Sequence, residues 1–126
     1  MTIAEVSRKM DISADTLRYY ERIGLIPPVK RSKSGIRDYS EKDLGWISFA
    51  KCMRSAGISI EALIEYVALF QQGDDTITTR KQILIDQRDE LEKKIEEMQG
   101  TLAYLNTKLE HYEDMLVPKE RKLAEE

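Results

Sequence analysis

The sequence predicts an all-α-dominated fold: a head of short helices with one small β-hairpin, followed by a long helix that pairs as a coiled coil. Capping serines and threonines recur in the first half, each before a stretch with helical apolar spacing. In the second half, apolar residues recur at alternating intervals of four and three, the heptad pattern of coiled coils. We therefore place a head domain at residues 1–72 and a dimerisation helix with its tail at residues 73–126.

Composition and charge restrict the classes of function. The chain has 126 residues, one cysteine and a formal net charge of -3. The charge is uneven: residues 1–60 carry 11 Lys and Arg against 7 Asp and Glu, whereas residues 61–126 carry 9 against 16. A basic head indicates a polyanionic partner for that half. Because no apolar run is long enough for a signal peptide or a membrane span, we expect a cytoplasmic protein.

Four helices are predicted in the head, over residues 3–10, 14–23, 41–56 and 60–72. Each follows a capping residue, and two of the caps have an acidic residue three positions later, as in a capping box. The caps are Thr2, Ser13, Ser40 and Ser59. Only a tight turn separates the first two helices, and this order is typical of a helix-turn-helix that reads DNA.

The second helix, within "DTLRYYERIGLIPP", presents hydrogen-bond donors and aromatic rings for a nucleic acid. The candidate DNA-binding residues here are Thr16, Arg18, Tyr19 and Arg22. A guanidinium fork suits the two acceptors of guanine in the major groove, so Arg18 is the candidate for a base edge. Leu17, Tyr20 and Leu25 are expected in the core.

The segment "IPPVKRSKSGIRDYS" follows, and it predicts a wing. Two prolines end the helix, and two short extended runs flank a glycine, as in a β-hairpin. Its cations would meet phosphates along a groove; they are Lys30, Arg31, Lys33 and Arg37. The alternative is an ordinary solvated loop, but its position after a helix-turn-helix favours the wing.

A long helix over residues 76–116, about 60 Å at 1.5 Å per residue, carries the heptad seam. The dimerisation residues are Leu91, Ile95, Met98, Leu102, Leu105, Leu109 and Tyr112. Such a helix cannot bury its seam against so small a head, so we expect the same helix of a second chain as its partner. The alternative is a helix folded back on its own domain.

Three stretches together resemble the MerR family of bacterial transcription regulators: "TLRYYERIGLIPP", "GIRDYSEKDLGWI" and "RSAGISIEAL". The resemblance implies a homodimer that binds double-stranded promoter DNA at a palindromic site and untwists the spacer, so that it acts on RNA polymerase through the promoter. It also implies that Arg37 and Tyr39 grip the DNA backbone, and that the coiled coil is antiparallel. Ile36 departs from the aromatic residue that the family more often carries there.

The single cysteine, Cys52, is either a sensor or a packing residue. One cysteine and one histidine, His111, are too few for a closed metal site, and no general base is placed to serve the thiol. We therefore expect no metal, no cofactor and no enzymatic activity. The apolar stripe of the third helix, from Trp46 to Ala56, leaves Cys52 at its margin. Its setting resembles the family branch that responds to aldehydes, other electrophiles or nitrosative stress.

Two other classes of function stay open. A DNA-architectural protein similar to an excisionase would share the head but would bend DNA without changing polymerase output. An adaptor built on the coiled coil would not need the wing cations.

Overall fold

The computed structural model describes residues 1–125, and helices account for most of them. The chain divides into two compact units, Met1–Arg88 and Asp89–Glu126. This division reflects how compactly the chain packs, whereas the predicted boundary after residue 72 separates a DNA-binding part from a dimerisation part. That boundary therefore stays a prediction. No helix among the described residues combines the length and the apolar character that a membrane span requires.

The first unit contains four short helices and the start of a long one. A single 3-10 turn, Asp74–Thr76, precedes the long helix. The helices are α1 (Ile3–Met10), α2 (Ala14–Arg22), α3 (Glu41–Ser55), α4 (Ile60–Gln72) and α5 (Ile77–Glu110).

The predicted helix starts are confirmed. Thr2 and Ser40 form capping boxes with Glu5 and Asp43, and Ser13 and Ser59 accept from backbone N–H groups in the first turns of α2 and α4. These side chains satisfy donors that have no partner inside the helix. The second and third helices end one residue earlier than predicted, at Arg22 and Ser55.

The turn between α1 and α2 depends on a residue from α3. Asp11 adopts a left-handed conformation with φ 53° and ψ 52°, which Asp tolerates better than most residues. The Lys51 ammonium donates to the carbonyl oxygens of Met10 at 2.6 Å and Asp11 at 3.3 Å. A cation at a helix C-terminus interacts favourably with the helix dipole, so Lys51 stabilises the turn that orients α2.

The core of the first unit lies beneath α2 and α3. Leu17 and Tyr20 of α2 and Leu25 after it are buried, as the sequence predicts. Gly24 ends α2 in a left-handed conformation with φ 81°, and the N–H of Leu25 returns to the carbonyl of Tyr20 at 2.8 Å. This closure turns the chain sharply after α2 and directs Leu25 into the core.

In the second unit the helical path changes near its end. After α5 ends, a π-helical segment covers Tyr112–Leu116, and α6 covers Val117–Ala124. The predicted helix over residues 76–116 therefore needs a correction, because the regular α-helix covers only Ile77–Glu110 and helical structure continues past residue 116 into α6. Pro118 lies in the first turn of α6, where its missing N–H costs little. None of the described residues 89–125 is buried.

Candidate nucleic-acid interface

The outer face of α2 presents a cluster of polar and aromatic side chains. Arg18, Tyr19 and Arg22 are exposed, and Thr16 is half-buried with its hydroxyl 2.7 Å from that of Ser13. Because Leu17 and Tyr20 hold the opposite face in the core, α2 can offer these side chains to a groove without losing its packing.

The exposed cations of α2 interact with neighbours on the same helix. Arg18 donates to Asp15 at 2.9 Å, and the guanidinium of Arg22 lies 5.3 Å from the centre of the Tyr19 ring. The Arg18 and Asp15 side chains are 49% and 96% exposed. Exposed ion pairs contribute little, so Arg18 can exchange its carboxylate for another acceptor.

The predicted β-hairpin wing is not confirmed. Residues 31–37, called here the basic turn, form one isolated antiparallel bridge, between Arg31 and Arg37. The Ser32 N–H donates to the Ile36 carbonyl at 2.7 Å, and the tip contains Gly35 at φ 83°. Prolines precede this segment and the cap of α3 follows it closely, so its arms are too short to form regular strands.

The cations of the basic turn have different environments. Lys33 is exposed. Arg31 is also exposed, and it donates to the Gly35 carbonyl at 2.8 Å, which bends its side chain across the turn. Arg37 is only 22% exposed and donates through Nε to Oε1 of Glu21 at 2.6 Å. The carboxylate that pairs with Arg37 therefore comes from α2.

Tyr39 requires a correction. The sequence resemblance implied a grip on the DNA backbone, but the side chain is 2% exposed and belongs to the core cluster. Its hydroxyl oxygen is buried without a hydrogen-bond partner among the described residues. Burial raises the pKa of this hydroxyl, and the nearby charge of Arg37 offsets part of that effect. Because the ring packs in the core, the hydroxyl is not accessible to a phosphate in this conformation.

Cys52 lies on α3 and is exposed to solvent. The buried face of α3 consists of Leu44, Ile47 and Ala50. Of the predicted apolar stripe, Ala50 is buried, Trp46 is half-buried and Ala56 is exposed, so the buried face is rotated around the helix axis relative to the prediction. The thiol that the sequence placed at the margin of the stripe is exposed. No group of three or more His, Cys, Asp or Glu side chains within residues 1–125 could hold a metal ion.

The predicted seam residues on α5 and just beyond it are accessible in the single chain. Leu91 is half-buried. The other six are between 42% and 71% exposed: Ile95, Met98, Leu102, Leu105, Leu109 and Tyr112. Tyr112 lies in the π-helical segment, where the Leu116 N–H reaches back five residues to the His111 carbonyl. α5 ends at Glu110, and His111 before the π-helical segment has φ -111° and ψ 22°, outside the helical region, so the regular heptad register ends before Tyr112.

Sequence reasoning missed two residues of this region. Glu21 pairs with a cation 16 residues away, and Lys51 caps carbonyls about 40 residues away. The sequence signal for Glu21 is weak: it is an acidic residue within a basic surface. Both partnerships depend on long-range contacts.

Comparison with known proteins agrees with this geometry. The family model for the MerR HTH family regulatory protein matches residues 1–69, and the model for MerR DNA binding matches residues 44–108. The HTH-type transcriptional regulator AdhR of Bacillus subtilis is 63% identical over 91 residues, which span 72% of this chain and 65% of AdhR.

Solved structures give the same result over nearly the whole chain. A MerR family regulator from Listeria monocytogenes has a TM-score of 0.87 at 48% identity, covering 99% of this chain and 95% of its own. HiNmlR, a MerR family regulator lacking the sensor domain and bound to promoter DNA, has a TM-score of 0.80 at 34% identity, covering 92% of each chain. The chain therefore belongs to the MerR family of DNA-binding, helix-turn-helix transcription regulators.

Proposed function

We propose that this regulator binds a palindromic promoter site as a homodimer, distorts the spacer, and changes its output when an electrophile modifies Cys52. The observation that carries the DNA-binding part is the exposed set Arg18, Tyr19 and Arg22 on the outer face of α2, whose inner face is fixed in the core. A helix held in this way can enter a major groove with its donors in defined positions.

The residues of α2 divide between base and backbone contacts. The Arg18 fork donates to the two acceptors of a guanine, because its exposed Asp15 pair opens at low cost. Thr16 and Tyr19 donate hydroxyl hydrogen bonds to phosphate oxygens, and Arg22 adds charge at the end of α2. Arg31, Lys33 and Arg37 of the basic turn contact phosphates beside the groove. Tyr39 supports this surface from the core.

The dimer forms through the seam of α5. Five apolar side chains at heptad spacing on α5 remain largely exposed in one chain, and a second copy of the same helix offers the same row: Ile95, Met98, Leu102, Leu105 and Leu109. Two heads on one dimer read two half-sites, which accounts for a palindromic site. If the dimer untwists the spacer between the promoter elements, RNA polymerase responds through the DNA rather than through a direct contact.

The switch is the thiol of Cys52. Its exposure allows an aldehyde, another electrophile or a nitrosating agent to reach the sulfur. Cys52 also follows Lys51, whose ammonium caps the turn between α1 and α2. A group added to Cys52 changes the surface beside this cap, and a small change in the orientation of α2 alters spacer geometry while the protein stays bound.

The test combines footprinting with transcription in vitro. Purified protein is footprinted on the promoter of its own gene cluster, and RNA polymerase is then assayed on the same DNA with formaldehyde, methylglyoxal or a nitrosothiol. We expect a symmetric footprint and a change in transcript level that Cys52→Ser abolishes. A footprint on the promoter without any change in transcript level would favour the DNA-architectural alternative. Equal responses of wild type and Cys52→Ser would show that Cys52 is not the switch.

A further inference from the structure

We propose that Glu21 is a positioning residue for DNA binding: its carboxylate orients the Arg37 guanidinium so that the terminal amino groups face a phosphate. The inference rests on the proposed function, because it concerns how the basic turn meets the DNA backbone. It adds an acidic residue to a surface whose other functional residues are cations, hydroxyls and aromatic rings.

Glu21 uses both carboxylate oxygens to join α2 to the segment that follows it. Oε1 accepts from Nε of Arg37 at 2.6 Å, and Oε2 accepts from the backbone N–H of Val29 at 3.1 Å. Val29 supplies the first backbone donor after Pro27 and Pro28, which have none. One side chain of α2 therefore fixes both the start of the extended segment and the cation at its far end.

The Glu21–Arg37 ion pair is shielded from solvent, whereas the Arg18–Asp15 ion pair is not. The Glu21 and Arg37 side chains are 15% and 22% exposed, whereas Asp15, the partner of Arg18, is 96% exposed. A partly buried, charge-assisted hydrogen bond at short distance keeps one geometry, whereas an exposed pair exchanges with solvent. Glu21 therefore holds Arg37 continuously, before any DNA arrives.

The contact leaves the phosphate-binding part of Arg37 available. Glu21 occupies Nε, and the two terminal nitrogens make no hydrogen bond to any described residue within 1–125. A guanidinium has five N–H donors in one plane, so fixing one edge fixes the direction of the others. Arg37 also pairs with Arg31 in the antiparallel bridge, which holds its backbone. An arginine held in this way loses little conformational entropy when it meets a phosphate.

Two other roles for Glu21 make different predictions. If Glu21 only neutralised Arg37, removing its charge would tighten DNA binding. If Glu21 only stabilised the fold, its loss would weaken DNA binding equally with and without Arg37. Positioning predicts weaker binding that depends on the presence of Arg37.

The experiment is a double-mutant cycle measured by fluorescence anisotropy. Wild type, Glu21→Gln, Arg37→Ala and the double variant are titrated with the footprinted promoter fragment at several salt concentrations, below their measured melting temperatures. Glu21→Gln should raise Kd about tenfold, within the range for residues in one hydrogen-bond network. In the Arg37→Ala background it should change Kd less than about twofold.

Two further variants separate position from charge. Glu21→Asp keeps the charge but shortens the side chain by one methylene, so it should also raise Kd if geometry matters. Glu41→Gln, at an exposed carboxylate that begins α3, removes the same charge from the same head and should not weaken binding. Arg37→Ala should reduce the slope of log affinity against log salt by about one per chain.

The outcomes distinguish the inference from the proposed function. If the wild type binds no promoter fragment, the proposed function fails. If Arg37→Ala changes neither affinity nor salt slope, the phosphate contact fails and the positioning role with it, while promoter binding stands. Tighter binding by Glu21→Gln, or the same loss in both backgrounds, would overturn the positioning role alone.

Discussion

Replacing Arg18 by alanine tests base recognition separately from phosphate binding. In the free protein Arg18 pairs with Asp15 at 2.9 Å, and the two side chains are 49% and 96% exposed. Such a pair contributes less than about 1 kcal/mol to folding, so Arg18→Ala should leave the melting temperature nearly unchanged. Any large effect on DNA affinity then reports a lost contact with DNA.

The expected loss follows from the proposed contact. A bidentate arginine–guanine contact discriminates by about 1–3 kcal/mol, which corresponds to a roughly 5- to 150-fold increase in Kd. Breaking the Asp15 pair on binding costs less than about 1 kcal/mol. The matched control, Asp15→Asn, frees Arg18 and should bind promoter DNA as tightly as the wild type or slightly more tightly.

The assay is a gel-shift titration on the footprinted site, on versions with single guanines changed, and on unrelated DNA, each at several salt concentrations. Arg18→Ala should weaken binding to the site and lose the preference for one particular guanine. Arg37→Ala should instead weaken binding to all sequences alike and reduce the salt slope by about one per chain. Equal behaviour of the two variants would refute the division into base and phosphate contacts.

Three further predictions concern the dimer, the thiol and two glycines. Leu105→Lys buries an unpaired charge in the seam at a cost of several kcal/mol, so sedimentation velocity should show monomers. The control Asn106→Lys, off the seam, should remain dimeric. If both variants are dimers, the interface lies elsewhere. Cys52→Ser should keep the wild-type promoter Kd, because the exposed thiol lies outside the proposed DNA-binding set; a large loss would mean that Cys52 supports the fold. Gly24→Ala should lower the stability by about 1–2 kcal/mol, since φ is 81° there. Gly100→Ala in α5, with nothing within 4 Å of the added Cβ, should raise the stability by up to about 1 kcal/mol. Melting temperatures that change in the same direction in both variants would contradict this prediction.

The sequence by itself determined where the helices of the head begin. Each start depends on a side chain that bonds to an N–H three residues later, as Ser13 does with Thr16. Such contacts are complete within one turn of chain, so they can be read from spacing alone. The same holds for the row of apolar residues on α5, because helical period fixes which side chains share a face. The family resemblance rested on these local patterns too, and the comparisons confirmed it.

Only the tertiary structure decided which polar groups meet. The family resemblance implied that Arg37 and Tyr39 both contact the DNA backbone; the fold buries the Tyr39 ring, and it pairs the Nε of Arg37 with Glu21. It also replaced the expected hairpin by a turn with one bridge, because strand pairing depends on the length that the flanking elements leave free. Contacts between residues far apart in sequence depend on how the helices pack, and no local pattern encodes that packing.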